Sequence, residues 1–378
     1  MKIATIVGAR PQFIKAGPVS RAIALYNQSV GKSDLIEEIL IHTGQHYDRD
    51  MSDIFFATLG LRAPKHNLTV GSGSHGVQLA EMIKGLELTL QSESPDLVLV
   101  YGDTNSTLTG VLMADRLNIP VAHVEAGLRS FNRRMPEESN RIIADRLSTL
   151  LFAPTKAAVA NLAREGITEG VYEVGDVMHE AVLLNLGIAE SESTILERLC
   201  LKHREYSLAT LHRAENTDDP LRFRGILDGI IAASLRQTIV WPVHPRTRKQ
   251  LVCLEDWPLL PDHLRLIGPV SYREMLVLEK SANAILTDSG GVQKEAAWLG
   301  VPCVTLRDET EWIETVEAGK NELAGSSPER IQAAFENALG KPRTPLSVEA
   351  IGASPSTLVV RHLANFALVK TALLPSCG

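Results

Sequence analysis

The sequence is poor in cysteine, in long apolar runs and in net positive charge, and each shortage excludes a class of protein. Its 378 residues include 4 cysteines that stand far apart without a CxxC pair, which argues against a disulfide framework or a zinc site and favours reduced thiols in a cytoplasmic protein. No apolar run approaches the roughly 20 residues that span a bilayer, and the first residues lack a signal-peptide core. The formal net charge of −7 argues against a large basic surface for nucleic acid.

What remains is an ordinary globular composition, with 44% hydrophobic and 22% charged residues. A chain of this length exceeds the usual single domain, so two domains are expected. Short apolar runs alternate with helical stretches, a pattern typical of parallel sheets with right-handed crossovers. We therefore expect an α/β protein with two Rossmann-like, doubly wound parallel-sheet domains facing across a cleft. The expected boundaries are 1–180, 181–355, and a final helix in 356–378 that packs back on the N-terminal domain.

The stretch LTDSGGVQKEAAWLG, residues 286–300, is typical of a phosphate site. A short apolar strand ends before Ser289, turns through Gly290 and Gly291, and leads into a helix. The free N–H groups and the dipole at a helix start attract anions, and glycine lets a ligand approach the backbone closely. Glu295, about one turn into the helix, is placed to meet a ribose hydroxyl. An ordinary strand-to-helix turn explains the same residues without a ligand.

Acidic, imidazole and guanidinium side chains follow nearly every predicted strand directly. They are Arg10, His42–His46, Asp103, Glu125, His212, His244 and Asp288–Ser289. Ligands of open parallel sheets bind beyond the carboxyl ends of the strands, so these loops predict where the site lies. The competing interpretation is that polar residues flank any strand because loops are polar.

Three loops bring carboxylates to one region: Asp103, Glu125, and Glu137 or Glu138. Carboxylates that lie close together raise one another's pKa, which prepares one as an acid and another as a base. Helix capping competes with this interpretation for Glu138. The guanidinium groups suited to phosphate are those of Arg10, Arg129, Arg213 and Arg246, although a lone loop arginine is more often a solvated charge.

Nine motifs, in order from Lys2 to about Gly325, resemble those of the non-hydrolysing UDP-N-acetylglucosamine 2-epimerases. They are GARPQFIKAGPV, HTGQHYDRDMSDIFF, VYGDTNST, HVEAGLRS, MPEESNR, VGDVM, TLHRAENTDDP, WPVHPRTR and LTDSGGVQKEAAWLGVPCVTLRDETEW. The resemblance implies the GT-B arrangement of two Rossmann-like domains. It also implies conversion of UDP-GlcNAc to UDP-ManNAc, by elimination of UDP to a 2-acetamidoglucal and re-addition, for surface polysaccharide precursors. A UDP-sugar substrate, a homodimer, and no metal or other cofactor are implied as well.

The resemblance also assigns roles by matching motif. The implied catalytic residues are Asp103, Glu125, Glu137 and His212. The implied contacts to UDP and substrate come from Arg10, Lys15, Arg129, Arg213, His244, Ser289, Gly290, Gly291 and Glu295. Some members bind UDP-GlcNAc at a second, activating site, and the residues that match it are Gln45, Arg213 and His244.

Two departures from the commonest motifs concern the substrate. Gln12 stands where many members have an acid, and Trp312 and Ile313 follow Glu311 where many have Arg-Pro. These variants resemble the subgroup that acts on UDP-2,3-diacetamido-2,3-dideoxyglucuronic acid, and Arg133 or Arg134 would supply the cation that this sugar acid needs. That substrate is one alternative; a GT-B glycosyltransferase and a non-catalytic UDP-sugar sensor are the others.

Overall fold

The chain folds as two compact units, each built on one parallel sheet. The computed structural model describes residues 1–45, 56, 59, 61–71, 73–133, 135–253, 260–346 and 353–373; His46 and Arg134 lie outside them. Unit 1 comprises Met1–Ala181 and Glu349–Gly378, and unit 2 comprises Val182–Val348. The sheets have seven and six strands, and the pairings within the described ranges are parallel. The predicted fold class of two doubly wound parallel-sheet domains is confirmed.

Unit 1 has the strand order β3-β2-β1-β4-β5-β6-β7. Its strands are β1 Lys2–Val7, β2 Glu37–His42, β3 His66–Asn67, β4 Leu97–Tyr101, β5 Val121–Val124, β6 Leu150–Ala153 and β7 Val171–Glu173. Its helices up to the unit boundary are α1 Arg10–Ser29, α2 His75–Glu93, α3 Asn105–Arg116, α4 Pro136–Leu147 and α5 Lys156–Arg164, with a 3₁₀ turn at Lys32–Asp34. The order reverses between β1 and β4, which is the switch point where doubly wound sheets bind ligands.

Unit 2 has the strand order β10-β9-β8-β11-β12-β13. The helix α6 Val177–Glu192 crosses the unit boundary and is followed by α7 Ile195–Arg198. The strands are β8 Ser207–Thr210, β9 Ile239–Pro242, β10 Leu264–Ile267, β11 Ile285–Thr287, β12 Cys303–Thr305 and β13 Asn321–Leu323. The helices are α8 Ala214–Thr217, α9 Pro220–Ser234, α10 Pro245–Val252, α11 Tyr272–Ser281, α12 Gly290–Leu299, α13 Ile313–Glu317 and α14 Pro328–Gly340.

Short, capped connections hold the loops at the carboxyl ends of the central strands. All five residues of β4 are buried, as a central parallel strand covered on both faces requires. Thr104 then accepts a hydrogen bond from the N–H of Thr107 and starts α3, and Ser289 does the same for Val292 at the start of α12. Because few residues separate strand from helix, the side chains between them have fixed positions.

The first helix begins earlier than the sequence predicts. We expected Arg10 to lie in the loop after the first strand. That expectation is wrong: Ala9 caps α1, and Arg10 is its first residue. Pro11 lies in the first turn, where its missing N–H has no helical partner to lose. Arg10 therefore projects from the positive end of a helix.

The last helix of the described chain, α15 Pro355–Leu373, belongs to unit 1 and packs against α1. The imidazole of His362 stacks on Tyr172 of β7 with ring centroids 3.9 Å apart. At its first turn, Ser356 donates two hydrogen bonds to Glu180. None of the helices in the described ranges is long and apolar enough to cross a membrane.

Two glycines test the packing of unit 2. A Cβ added to Gly225 of α9 would lie 2.3 Å from the carbonyl oxygen of Ser326, whereas one added to Gly187 of α6 would meet nothing within 4 Å. We expect Gly225→Ala to destabilise unit 2 by about 1–3 kcal/mol through overpacking. Gly187→Ala, the matched control, should stabilise it by up to about 1 kcal/mol through helix propensity. Thermal unfolding of the two variants checks this, and equal shifts of the transition would contradict the close contact.

Candidate active site

At the carboxyl ends of β4 and β5, unit 1 brings together two of the predicted carboxylates and one lysine. Asp103 follows β4 and Glu125 follows β5, while Lys15 reaches them from α1. The Lys15 ammonium forms a short ion pair with the Glu125 carboxylate, and both side chains are about nine-tenths buried. A Cβ on Gly102 would lie 3.1 Å from Glu125 Oε2 and 3.3 Å from Lys15 Nζ, so a larger residue would crowd the pair.

The charge of Lys15 is fixed by these carboxylates. Burial by itself lowers the pKa of Lys15, but the negative charges of Glu125 and Asp103 outweigh burial and raise this pKa above its ordinary value. Lys15 is therefore an ammonium at neutral pH. A buried cation held beside two carboxylates can stabilise a negative charge that develops on a bound substrate.

The backbone at Glu125 is strained. Its φ of +76° lies in the left-handed region, which residues with a Cβ rarely adopt. The N–H groups of Glu125 and Ala126 both donate to the carbonyl of Phe152 on β6. Strain of this kind persists only where the surroundings impose it, and it concentrates at functional sites. The turn aims the Glu125 carboxylate at Lys15.

Asp103 is held by α4, and the sequence reasoning missed these partners. The Arg141 guanidinium forms an ion pair with the Asp103 carboxylate at 2.5 Å, and Asn140 Nδ2 donates to the Asp103 carbonyl at 2.9 Å. About a third of the Asp103 side chain stays exposed. Both partners lie in the MPEESNR motif, so its last two residues were the available signal.

The two adjacent acids at the start of α4 have different environments. Glu138 is buried and accepts hydrogen bonds from the backbone N–H groups of Ser130 and Phe131, so its role is to hold that loop. It also pairs with Arg141 at 3.1 Å. Glu137 lies half-buried in the first turn of α4. Of the two acids, Glu137 is therefore the more exposed.

The loop after β1 is fixed by Gln12, the residue that departs from the commonest family motif. Its Oε1 accepts from the N–H groups of Gly8 and Ala9, and its Nε2 donates to the Tyr101 carbonyl at the end of β4. A neutral amide supplies both an acceptor and a donor, which a carboxylate cannot.

Gln45 holds the start of α3. Its Oε1 accepts from the hydroxyl of Ser106 at 2.7 Å. Gln45 therefore braces the start of α3 in this structure.

Arg129 is placed differently from the expectation that it binds UDP. Its side chain is only 1% exposed, and its guanidinium pairs with Asp145 at 2.7 Å and with Glu165 at 2.7 Å. It also donates to the carbonyl of Leu128. Because Arg129 is enclosed and bonded to two carboxylates, we correct its assignment from phosphate ligand to structural cation.

In unit 2, the buried carboxylate of Asp288 organises the loop after β8. It accepts the backbone N–H groups of His212 and Arg213 and lies 3.0 Å from His212 Nδ1. Burial by itself raises the pKa of Asp288, but the charge and hydrogen bond of His212, with the two N–H groups, lower it below its ordinary value. Asp288 thus fixes His212 and turns its other ring nitrogen away from the carboxylate.

The turn that we predict to bind phosphate lies at the start of α12. Ser289 is the N-cap residue, and Gly290 and Gly291 open the helix. A Cβ on Gly290 would lie 2.4 Å from Glu311 Oε1, whereas a Cβ on Gly291 would have Ser289 Oγ as its nearest neighbour at 3.8 Å. Further along, the buried carboxylate of Glu295 accepts from the Tyr272 hydroxyl at 3.0 Å.

Two further residues expected at the nucleotide lie near His212. His244 caps α10 by accepting from the N–H of Arg246, and its ring centroid is 5.6 Å from that of His212. Arg213 lies 3.6 Å from Glu311, which also pairs with Arg307. Within the described ranges, no group of three His, Cys, Asp or Glu side chains could hold a metal ion.

Comparisons with known proteins are consistent along the chain. The UDP-N-acetylglucosamine 2-epimerase family model matches residues 28–351. A UDP-N-acetylglucosamine 2-epimerase homolog of Methanococcus maripaludis is 53% identical over 337 residues, covering 88% of this chain and 90% of the relative. The UDP-2,3-diacetamido-2,3-dideoxy-D-glucuronate 2-epimerase of Pseudomonas aeruginosa is 46% identical, covering 90% and 93%.

A solved structure is similar over the same extent. The crystal structure of Methanocaldococcus jannaschii UDP-GlcNAc 2-epimerase, in complex with UDP-GlcNAc and UDP, superposes with a TM-score of 0.87 and 44% identity. The match covers 97% of this chain and 100% of that one.

Proposed function

Because this chain belongs to the UDP-N-acetylglucosamine 2-epimerase family, a family of isomerases, we propose that it interconverts UDP-GlcNAc and UDP-ManNAc without hydrolysing them. The observation that carries this proposal is the pairing of Lys15 with Glu125 beside Asp103 in unit 1. Inversion at C2 requires a base and an acid around the sugar, and a carboxyl group can act as either. Lys15 adds a fixed cation beside them. We also propose the cytoplasm as its location and a homodimer as its assembly.

The reaction follows from the low acidity of the C2 proton. A carboxylate among Asp103, Glu125 and Glu137 takes that proton, the bond between C1 and the UDP oxygen breaks, and a C1–C2 double bond forms. UDP leaves with the electron pair. In the return step the UDP oxygen bonds to C1 again and a proton is added to C2 from the opposite face. Lys15 and the other fixed cations stabilise the charge that develops during elimination.

The residues after β8 and β11 are suited to the nucleotide. The start of α12 offers backbone N–H groups to the diphosphate, with Ser289, Gly290 and Gly291 closest to it. Glu295 is assigned to the ribose, and His212 to the diphosphate or to acid catalysis. Arg10, at the positive end of α1, adds a guanidinium for phosphate. Arg213 and His244 complete this set.

A second candidate substrate is UDP-2,3-diacetamido-2,3-dideoxyglucuronic acid. It is favoured by the 46% identity to a relative named for that activity. Trp312, which differs from the commonest family motif, packs its ring over the Lys294 ammonium at 3.8 Å, close to the start of α12. Arg133, exposed in the loop before α4, is the cation that we assign to the carboxylate of this sugar.

Incubation of the protein in D₂O with each UDP-sugar alone tests the proposal. We expect the C2 epimer to form, with deuterium at C2, from UDP-GlcNAc, and no reaction of the diacetamido sugar acid. If only the UDP-linked diacetamido sugar acid reacts, that sugar and not UDP-GlcNAc is the substrate. Release of free ManNAc with UDP would show a hydrolysing enzyme. Absence of exchange from both sugars would contradict epimerisation and favour a glycosyltransferase or a sensor.

A further inference from the structure

Unit 1 contains a row of four ionisable side chains that leads inward from the surface to the backbone beside the two candidate acid–base carboxylates. Glu165 is 28% exposed, Arg129 is 1% exposed, and Asp145 and His123 are fully buried. The row joins Glu165 to Arg129, Arg129 to Asp145 and Asp145 to His123, at 2.7, 2.7 and 2.8 Å. None of the proposed chemistry uses these four residues.

Both ring nitrogens of His123 face oxygen acceptors. Nδ1 lies 2.8 Å from Asp145 Oδ1, and Nε2 lies 2.8 Å from the carbonyl oxygen of Gly102. A backbone carbonyl cannot donate, and a neutral imidazole has a single N–H. A neutral ring facing an ionised Asp145 would therefore set two lone pairs against each other at one of these contacts. The geometry is satisfied when both nitrogens carry a proton.

The charge of Asp145 supports this protonation state. Its Oδ2 accepts from the N–H of Gly127 at 3.1 Å and pairs with Arg129. The permanently charged Arg129 and the N–H of Gly127 both stabilise the ionised Asp145 carboxylate without any contribution from His123. Two cations and two carboxylates then alternate along the row, and their charges sum to zero.

The contacts of the row fix the backbone next to both candidate carboxylates. Asp145 binds His123 on one side of the strained Glu125 turn, and Gly127 and Arg129 on the other. Gly127 has a φ of +81°, and a Cβ there would lie 2.4 Å from the Ala158 carbonyl oxygen. His123 also holds the Gly102 carbonyl, directly before Asp103. One buried ion pair thus fixes the backbone on both sides of Glu125 and immediately ahead of Asp103.

We propose that His123 is a buried imidazolium and that His123 and Asp145 are positioning residues, which set the relative placement of Asp103 and Glu125. The inference rests on the proposed epimerase function for the meaning of that placement. Neither residue exchanges a proton with the substrate. A fixed imidazolium donates to Gly102 in every step of the cycle, so the distance between the two carboxylates does not depend on which of them holds the transferred proton.

The charge state is tested on the wild-type protein by NMR. With ¹⁵N-labelled histidine, we expect His123 to show two ring N–H correlations, on Nδ1 and Nε2, that persist at about pH 8, where an ordinary histidine is neutral. A single protonated ring nitrogen would overturn the inference. This measurement requires neither substrate nor a variant, so it is independent of the proposed reaction.

The positioning role is tested by His123→Gln, with exposed His203→Gln as the matched control. Glutamine can donate to Gly102 but carries no charge for Asp145. We expect kcat in the D₂O assay to fall by about tenfold or more. The dissociation constant for UDP should stay within about twofold, and the control should match wild type in both. Wild-type kcat in a folded His123→Gln would overturn the role, as would an equal loss of UDP affinity. Inactive wild-type protein would instead contradict the proposed function.

Discussion

Replacing Glu125 by glutamine is expected to lower kcat by about a hundred- to ten-thousandfold, the usual contribution of a general acid or base. Glutamine keeps the shape of the side chain but cannot take up or return a proton. Lys15 loses its closest ion-pair partner and keeps the negative charges of Asp103 and Asp176 nearby. UDP affinity should change little, because the residues that we assign to UDP lie mainly after β8 and β11. The D₂O assay measures the first effect and calorimetry with UDP measures the second.

Glu173→Gln is the matched control for this experiment. Glu173 also stands at the carboxyl end of a strand of the same sheet, β7, and is half-buried. The Glu173→Gln variant should have the same kcat as the wild-type protein. Circular dichroism of Glu125→Gln must show retained secondary structure, because removing one partner of a buried ion pair is itself destabilising. Wild-type deuterium incorporation in folded Glu125→Gln would remove Glu125 from the chemistry.

Gly291→Ala is expected to weaken UDP binding about tenfold or more, close to 1.4 kcal/mol, without loss of stability. Among the described residues, nothing in the protein requires glycine at this position: the first turn of α12 is helical, and the added Cβ would contact only Ser289 Oγ at 3.8 Å. A diphosphate that approaches the backbone closely here would require glycine at position 291.

The comparison with Gly290 separates ligand binding from folding. Gly290→Ala would place its Cβ against Glu311, so it should lower the unfolding temperature. Gly291→Ala should leave the unfolding temperature unchanged or raise it, as we also expect for Gly187→Ala. Calorimetry on these samples measures the affinity for UDP, and thermal unfolding of the same samples measures stability. If Gly291→Ala binds UDP as tightly as wild type, the diphosphate does not lie over this turn.

Much of the fold follows from the sequence because buried parallel strands are short runs of apolar residues between polar loops. The bounds of β4, β5, β6 and β10 agree with the apolar runs to the residue. The sequence does not reveal an element where the contrast between apolar run and polar loop is weak. β3 has two residues and β13 begins with two polar ones, so neither was predicted. The first half of α6 was also missed, although Asp176 caps it by accepting from the N–H of Met178 at 2.8 Å.

The sequence also indicates which loops carry the site, but it does not reveal partners. Asp103, Glu125 and Asp288 each follow a strand, as the rule for open sheets predicts. Lys15 and Glu125 are 110 residues apart, and Arg129 and Glu165 are 36 apart. Whether a guanidinium meets a phosphate or a neighbouring carboxylate depends on such long-range contacts. Arg129 was misassigned for this reason, and Asp145 was overlooked because it lies inside a helix.

Unit 1 is made of two separate stretches of chain, and this has a consequence for synthesis on the ribosome. Its last helix, α15, emerges only after every residue of unit 2 has been translated. Unit 2 can therefore complete its core while α1 of unit 1 still lacks its helical neighbour. The apolar surface that α15 later covers, including Tyr172, stays open to chaperones for the time needed to translate Val182–Val348.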